Sequence, residues 1–284
     1  MDFIEILKAI ILGLVEGLTE FAPVSSTGHM IIVDDLWLQS EEFLGSKYVA
    51  NTFKVMIQLG SILASVIVFR DRFIDILGLN RLFQKETKRE PGTGHFNLLH
   101  VIVGIIPAGI FGVLFEDYID EYLFSTETVA IGLILGSILM IYADLHTRKN
   151  QPTIESLDQL TYKHAFTVGL IQCFSLWPGF SRSGATISGG VLTGLNHRVA
   201  SDFTFIMAVP IMAGASLISL VKNLEYFTMD ALPFFIAGFI SAFIFALISI
   251  RFFLKLINKI KLIPFAIYRI IVALLIFALY FYVG

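Results

Sequence analysis

Glu16-Gly17-Leu18-Thr19-Glu20-Phe21-Ala22-Pro23-Val24-Ser25-Ser26-Thr27-Gly28-His29 sets two carboxylates, a run of hydroxyls and an imidazole between the apolar stretches Ile10 to Val15 and Met30 to Val33. Ionisable groups in sequence this apolar are costly and mark a functional site when the surroundings are membrane. Composition says that they are. Of 284 residues, 56% are hydrophobic and only 15% charged, where soluble domains carry roughly 25% charged residues. Mean hydropathy is +0.80. The net charge of −3 and the lack of a basic stripe give no support to nucleic-acid binding. Cys173 is the single cysteine, so an internal disulfide is impossible; it reads as a small buried apolar residue. Met1 to Glu5 lacks the basic start of a removable signal peptide.

Six stretches, about 53–69, 95–115, 127–145, 203–221, 233–251 and 265–283, reach the roughly 17–25 apolar residues that span a bilayer. They are continuous runs, not alternating ones, which excludes a strand-built barrel. Two further stretches, about 3–33 and 162–194, are interrupted by Pro, Gly, Ser and charge. Each reads as two half-helices around a break, an arrangement tolerated only where the break is buried or lines a cavity. Basic residues in 70–94 (Arg70, Arg72, Arg81, Lys85, Lys88, Arg89) and 251–263 (Arg251, Lys255, Lys259, Lys261) put those loops inside, as do Arg148, Lys149 and Lys163 for 146–163. The acidic loops 34–52 and 116–128 fall outside. Each broken stretch then dips into the membrane and returns to its own side, and the two halves run with opposite orientation.

The expected fold is therefore an all-α integral membrane protein, six transmembrane helices plus two re-entrant helix pairs in an inverted repeat. It forms a single membrane domain over 1–284, with halves at about 1–145 and 160–284. Shifting the chain by 156 positions lays Gly13-Leu14-Val15-Glu16 on Gly169-Leu170-Ile171-Gln172, and Ser25-Ser26-Thr27-Gly28 on Ser181-Arg182-Ser183-Gly184. The same shift sets Glu20 on Leu176 and His29 on Ala185. Acids and imidazole thus come from the first half and the arginine from the second.

A restarting half-helix offers free N–H groups and a positive dipole end, an anion site. Ser25, Ser26 and Thr27 add donors at one such end; Ser181, Ser183 and Arg182 add them at the other, and a guanidinium fork suits phosphate. Glu16 and Glu20, four apart, share a helix face and need a compensator: a divalent cation, Arg182 or a shared proton. For phosphoanhydride hydrolysis, Ser26 or a bound water is the candidate attacker and His29 or Glu20 the proton carrier, His29 being close enough in sequence to reach the same pocket. His95, His100, His146, His164 and His197 read as interfacial. Asp144 and Arg269 are second-tier candidates, either a buried pair or boundary charges.

Glu16 to His29, together with Pro178-Gly179-Phe180-Ser181-Arg182-Ser183-Gly184-Ala185-Thr186, resembles the two signatures of the bacitracin-resistance type undecaprenyl-diphosphatases, and the resemblance runs along nearly the whole chain. It implies removal of the terminal phosphate of undecaprenyl diphosphate in the bacterial inner membrane, with the active site facing the outer side. By motif it assigns catalysis to Glu16, Glu20, Ser26, His29 and Arg182, substrate binding to Ser25, Thr27, Ser181, Ser183 and Thr186, and a divalent cation (Mg2+ or Ca2+) to Glu16 and Glu20. Membrane lipid is the other expected partner, and a homodimer is left open. The type-two phosphatidic acid phosphatases need a histidine six residues after their Ser-Arg arginine; Ser188 stands there, and that reading fails. A transporter or flippase for an anionic polyprenyl lipid is the competing class, since it shares this architecture.

Overall fold

The computed structural model describes residues 3–79, 95–222 and 229–283. Arg81, Lys85, Lys88 and Arg89, used above to orient the chain, lie outside the described residues. Among the described residues, apart from one isolated bridge between Ile154 and Leu195, the regular structure is helical: α1 (Phe3–Thr19), α2 (Ser26–Met30), a π-helix (Ile31–Leu38), α3 (Ser40–Leu44), α4 (Lys47–Val68), α5 (Arg70–Ile76), α6 (Leu98–Leu114), α7 (Glu116–Tyr122), α8 (Thr126–Lys149), α9 (Tyr162–Gln172), α10 (Arg182–Leu192), α11 (His197–Lys222), α12 (Leu232–Ile260) and α13 (Ile263–Val283). Five helical segments, Lys47–Val68, Thr126–Lys149, His197–Lys222, Met229–Ile260 and Ile263–Tyr280, are long and apolar enough to cross a membrane. Leu98–Leu114, expected as a full span, is shorter. The chain is a multi-pass helical membrane protein.

Both expected breaks are present. α1 ends at Thr19, the chain turns through Pro23, and α2 restarts at Ser26. In the second half α9 tightens into a 3-10 turn (Cys173–Leu176), passes Pro178 and Gly179, and restarts as α10. Proline has no N–H to continue a helix. Pro107 and Pro210 remain inside α6 and α11, but Pro23 and Pro178 each fall within two residues of a positive-φ position, Ser25 or Gly179, in the break between two helices. The loop expected over 34–52 is instead mostly helical. Buried Asp34 accepts from the Ser40 N–H and Oγ at 2.9 and 2.8 Å and pairs with Lys54 at 2.8 Å.

Between two lipid-facing helices, burying apolar area yields little, because lipid is equally apolar; close packing of small residues holds them. Gly13 and Gly17 of α1 face Gly238, Ala242 and Ala246 of α12, and a Cβ at Gly13 would collide with the Gly238 carbonyl. Ser241 and Ser249 of α12 donate to the Ile10 and Leu18 carbonyls at 2.7 and 2.9 Å. The second half repeats this. Gly169 of α9, the partner of Gly13 in the shift by 156, packs on the Gly104 carbonyl of α6. Further pairings also correspond: α4 with α12 answers α11 with α6, while α8 packs on α13 and α4 on α11. Gly13→Val is expected to cost more than about 3 kcal/mol, because the obstacle is backbone and cannot repack as a side chain would. A loss of monodisperse protein in detergent, or a large drop in Tm, checks this.

Candidate active site

Ser25 and Ser181 cap the two restarting helices with positive φ, 71° and 76°. Each Oγ accepts from the N–H three residues on, Gly28 at 3.5 Å and Gly184 at 3.1 Å. A serine in the left-handed region is held there by its surroundings at some cost. The matched geometry shows that these two segments are the same device, as their aligned hydroxyls suggested.

The breaks meet. Glu20, at the end of α1, accepts from Ser26 Oγ through Oε2 at 2.7 Å and from Arg182 Nη2 through Oε1 at 3.1 Å. Ser183 Oγ donates to the Ala22 carbonyl at 3.1 Å, a second tie between the halves. Two buried polar atoms here have no partner among the described residues, Arg182 Nη1 and Glu16 Oε1. Glu16 is 2% exposed; Gln172, its counterpart in the shift by 156, is 3% exposed.

Glu16, Ser26 and Thr27 line a cavity of about 740 Å³ that runs past Met30 and Ile31 to Asp35, Glu41, Lys47 and Lys54. Thus the structure brings Glu16, Glu20, Ser26 and Arg182 to one place. Thr186 is occupied locally: its hydroxyl donates to the Arg182 carbonyl at 2.8 Å and accepts from Thr204 at 2.9 Å. Ser181 Oγ and Ser183 Oγ are 3.3 Å apart.

His29 is engaged at both ring nitrogens. Its Nδ1 lies 2.8 Å from the Ser25 carbonyl, which can only accept, so that nitrogen carries the proton. Nε2 then accepts from Tyr268 Oη at 2.7 Å, with the rings stacked at 5.6 Å. Tyr268 was not legible in the sequence, being one more aromatic in an aromatic-rich apolar helix.

Other expectations need correction. His100 and His197 sit in the first turns of α6 and α11, buried in the protein, and Cys173, expected as a buried residue, is half-exposed, donating to the Gly169 carbonyl at 3.5 Å. Asp144 and Arg269 are both buried but do not pair with each other. Asp144 takes His197 Nε2 at 2.7 Å and the Leu262 and Ile263 N–H groups at 2.8 Å each. Arg269 binds main-chain carbonyls.

A half-buried carboxylate bridges a hydroxyl and a guanidinium between two broken helices, so this multi-pass membrane protein carries a polar, charged site among its apolar helices. The chain matches the family described as bacitracin resistance protein BacA over residues 9–275 and belongs to that family. It is 70% identical over 281 residues to an undecaprenyl-diphosphatase of Geobacillus sp. (strain WCH70), covering 99% of this chain and 100% of that one. It is 68% identical to the protein of that name from Geobacillus kaustophilus (strain HTA426), over 99% of this chain and 100% of that one. The undecaprenyl-diphosphatase of Bacillus subtilis (strain 168) is 59% identical over 97% of this chain and 98% of its own length.

Proposed function

We propose that this chain hydrolyses undecaprenyl diphosphate to undecaprenyl phosphate and inorganic phosphate, returning the lipid carrier to cell-wall synthesis. The observation that carries the mechanism is the Glu20 carboxylate shared by Ser26 and Arg182. The terminal phosphate enters the cavity beside Ser26. Arg182, whose Nη1 is unpartnered, donates to a phosphate oxygen while Nη2 holds Glu20. Ser26 Oγ attacks phosphorus and its proton passes to Glu20 Oε2. The bond from phosphorus to the bridging oxygen breaks and undecaprenyl phosphate departs. Water then cleaves the phosphoserine: Ser26 takes back the proton held by Glu20, Glu20 takes one from the attacking water, and as phosphate leaves Glu20 releases that proton to the cavity water. His29 holds the Ser25 turn through its carbonyl, which aims the neighbouring Ser26.

The residues fit the divalent cation that the family resemblance implies. The described residues contain no group of three or more His, Cys, Asp or Glu side chains able to cage a metal ion. A hard cation needs only one or two carboxylates when substrate phosphates complete its shell, and Glu16 presents a buried, unpartnered oxygen beside Glu20. Glu16, with Glu20, would hold the ion, which would supply neutralisation of the diphosphate charge. Chelation is expected to stop phosphate release, and Mg2+ or Ca2+ to restore it. Glu16→Gln should raise the cation concentration for half-activity about 10-fold or more; an unchanged titration would remove Glu16 from this role.

The finer layout supports activity at the outer side of the inner membrane. α6 serves as the sixth span, the two broken segments are re-entrant, and halves 1–145 and 160–284 are inverted copies. The corresponding helix pairings and the basic character of 251–263 support this reading. The cavity lining includes Lys47 and Thr126, at the starts of α4 and α8, which the alternation of spans sets on the side opposite those basic residues. The repeat architecture also suits a flippase. Purified protein in detergent decides between them: phosphate release from undecaprenyl diphosphate is expected. No release, with lipid movement across vesicles instead, would overturn the hydrolase reading.

A further inference from the structure

We infer that Arg269 on α13 is a positioning residue for the reaction: it holds the backbone just before Ser181 so that Arg182 reaches Glu20. The inference rests on the reading of Arg182 as the phosphate-binding cation.

Arg269 is 0% exposed. Nη2 donates to the Phe180, Gly179 and Leu133 carbonyls at 2.7, 3.1 and 3.1 Å, and Nη1 to Met140 Sδ at 3.2 Å. Among the described residues its partners are carbonyls and a thioether, not a carboxylate. Two glycines make room for it. A Cβ on Gly136 would collide with Nη2, and one on Gly184 would lie 2.7 Å from Nη1. The guanidinium therefore links the last two residues of the break, Gly179 and Phe180, to α8, and lies against the first turn of α10.

The internal repeat supplies the control. Gly28 occupies in the first half the place that Gly184 occupies in the second, and a Cβ there would meet Leu133 Cδ1 at 3.1 Å. An aliphatic side chain thus fills the corresponding space beneath α2. Packing alone does not require an arginine, and an unbalanced buried cation is expensive in a membrane protein. What differs is the segment served: only the second break carries Arg182. Three carbonyls converging on Nη2 restrain Gly179 and Phe180, and with them the left-handed turn at Ser181 from which Arg182 projects. A lysine offers the charge but not the second nitrogen that meets Met140.

The test uses full-length protein in detergent, with radiolabelled undecaprenyl diphosphate and a parallel Tm. Arg269→Met is expected to lower kcat/KM about 10²-fold, the scale of a misplaced catalytic group, while the folded fraction stays high. Arg269→Lys is expected to recover part of that loss, and it serves as the working variant if Arg269→Met does not fold. In an Arg182→Ala background the same Arg269 substitution should change activity less than about 3-fold, because a residue acting through Arg182 has nothing left to position. Wild-type kcat/KM in folded Arg269 variants, or an equal loss in both backgrounds, would overturn the positioning role. Full turnover by Arg182→Ala alone would instead overturn the underlying reading of the site.

Discussion

Ser26→Ala is expected to leave less than about one part in 10³ of wild-type phosphate release. Ser26 is the hydroxyl that both lines the cavity and donates to Glu20. Removing it deletes the attacking oxygen and leaves water, which the site was not shaped to aim. Glu20→Gln should cost about 10²–10⁴-fold, the usual range for a general base. Residues that act as one unit are not additive, so the double variant should be little worse than Ser26→Ala alone. Retention of more than a tenth of wild-type turnover by Ser26→Ala would show that water attacks directly. Phosphate release in single-turnover assays, with phosphoserine trapped by acid quench in the wild type, reads both points.

Arg182→Ala is expected to lower kcat/KM about 10³-fold or more, as for arginines that neutralise charge in phosphoryl transfer. The structure adds a second effect. Side-chain exposures of Arg182 and Glu20 are 15% and 9%, so the alanine variant leaves Glu20 without its counter-ion in a largely dry site. Breaking such a pair from one side costs about 3–5 kcal/mol, and Tm should fall together with activity. Arg182→Lys separates the two contributions. One ammonium can balance Glu20 and restore most of the Tm. It cannot hold Glu20 and a phosphate oxygen with separate nitrogens, so the activity loss should largely remain. Coincident recovery of both would reduce Arg182 to a structural counter-ion.

The π-helix at Ile31–Leu38 explains part of the site's shape. It follows directly on α2 and turns Asp34 inward to cap Ser40, while Lys54 of α4 bridges Asp34 and Asp35 at 2.8 and 3.0 Å. The cavity wall is thereby tied to α4, and the charged part of its lining, Asp35, Glu41 and Lys47, comes from the stretch expected as an outer loop.

Much of this protein was written in its linear pattern. Hydropathy alone located the five helices long and apolar enough to cross a bilayer among the described residues and the shorter apolar α6, since a bilayer demands continuous apolar runs with every backbone group bonded internally. Pro23 and Pro178, each set among Gly, Ser or charge, marked the breaks, whereas Pro107 and Pro210 lie inside the continuous helices α6 and α11. The shift by 156 already aligned Gly13 with Gly169 and Ser25 with Ser181. The structure gives each pair the same job, a close helix crossing and a left-handed cap. What needed the tertiary structure was every relation across the repeat. Glu20 sits 162 positions from Arg182 and His29 sits 239 from Tyr268. No local periodicity encodes such distances, which are set by how α1, α10 and α13 pack. The same packing set His29 against Tyr268, paired Asp144 with His197, and buried Arg269 against carbonyls that hydropathy cannot see.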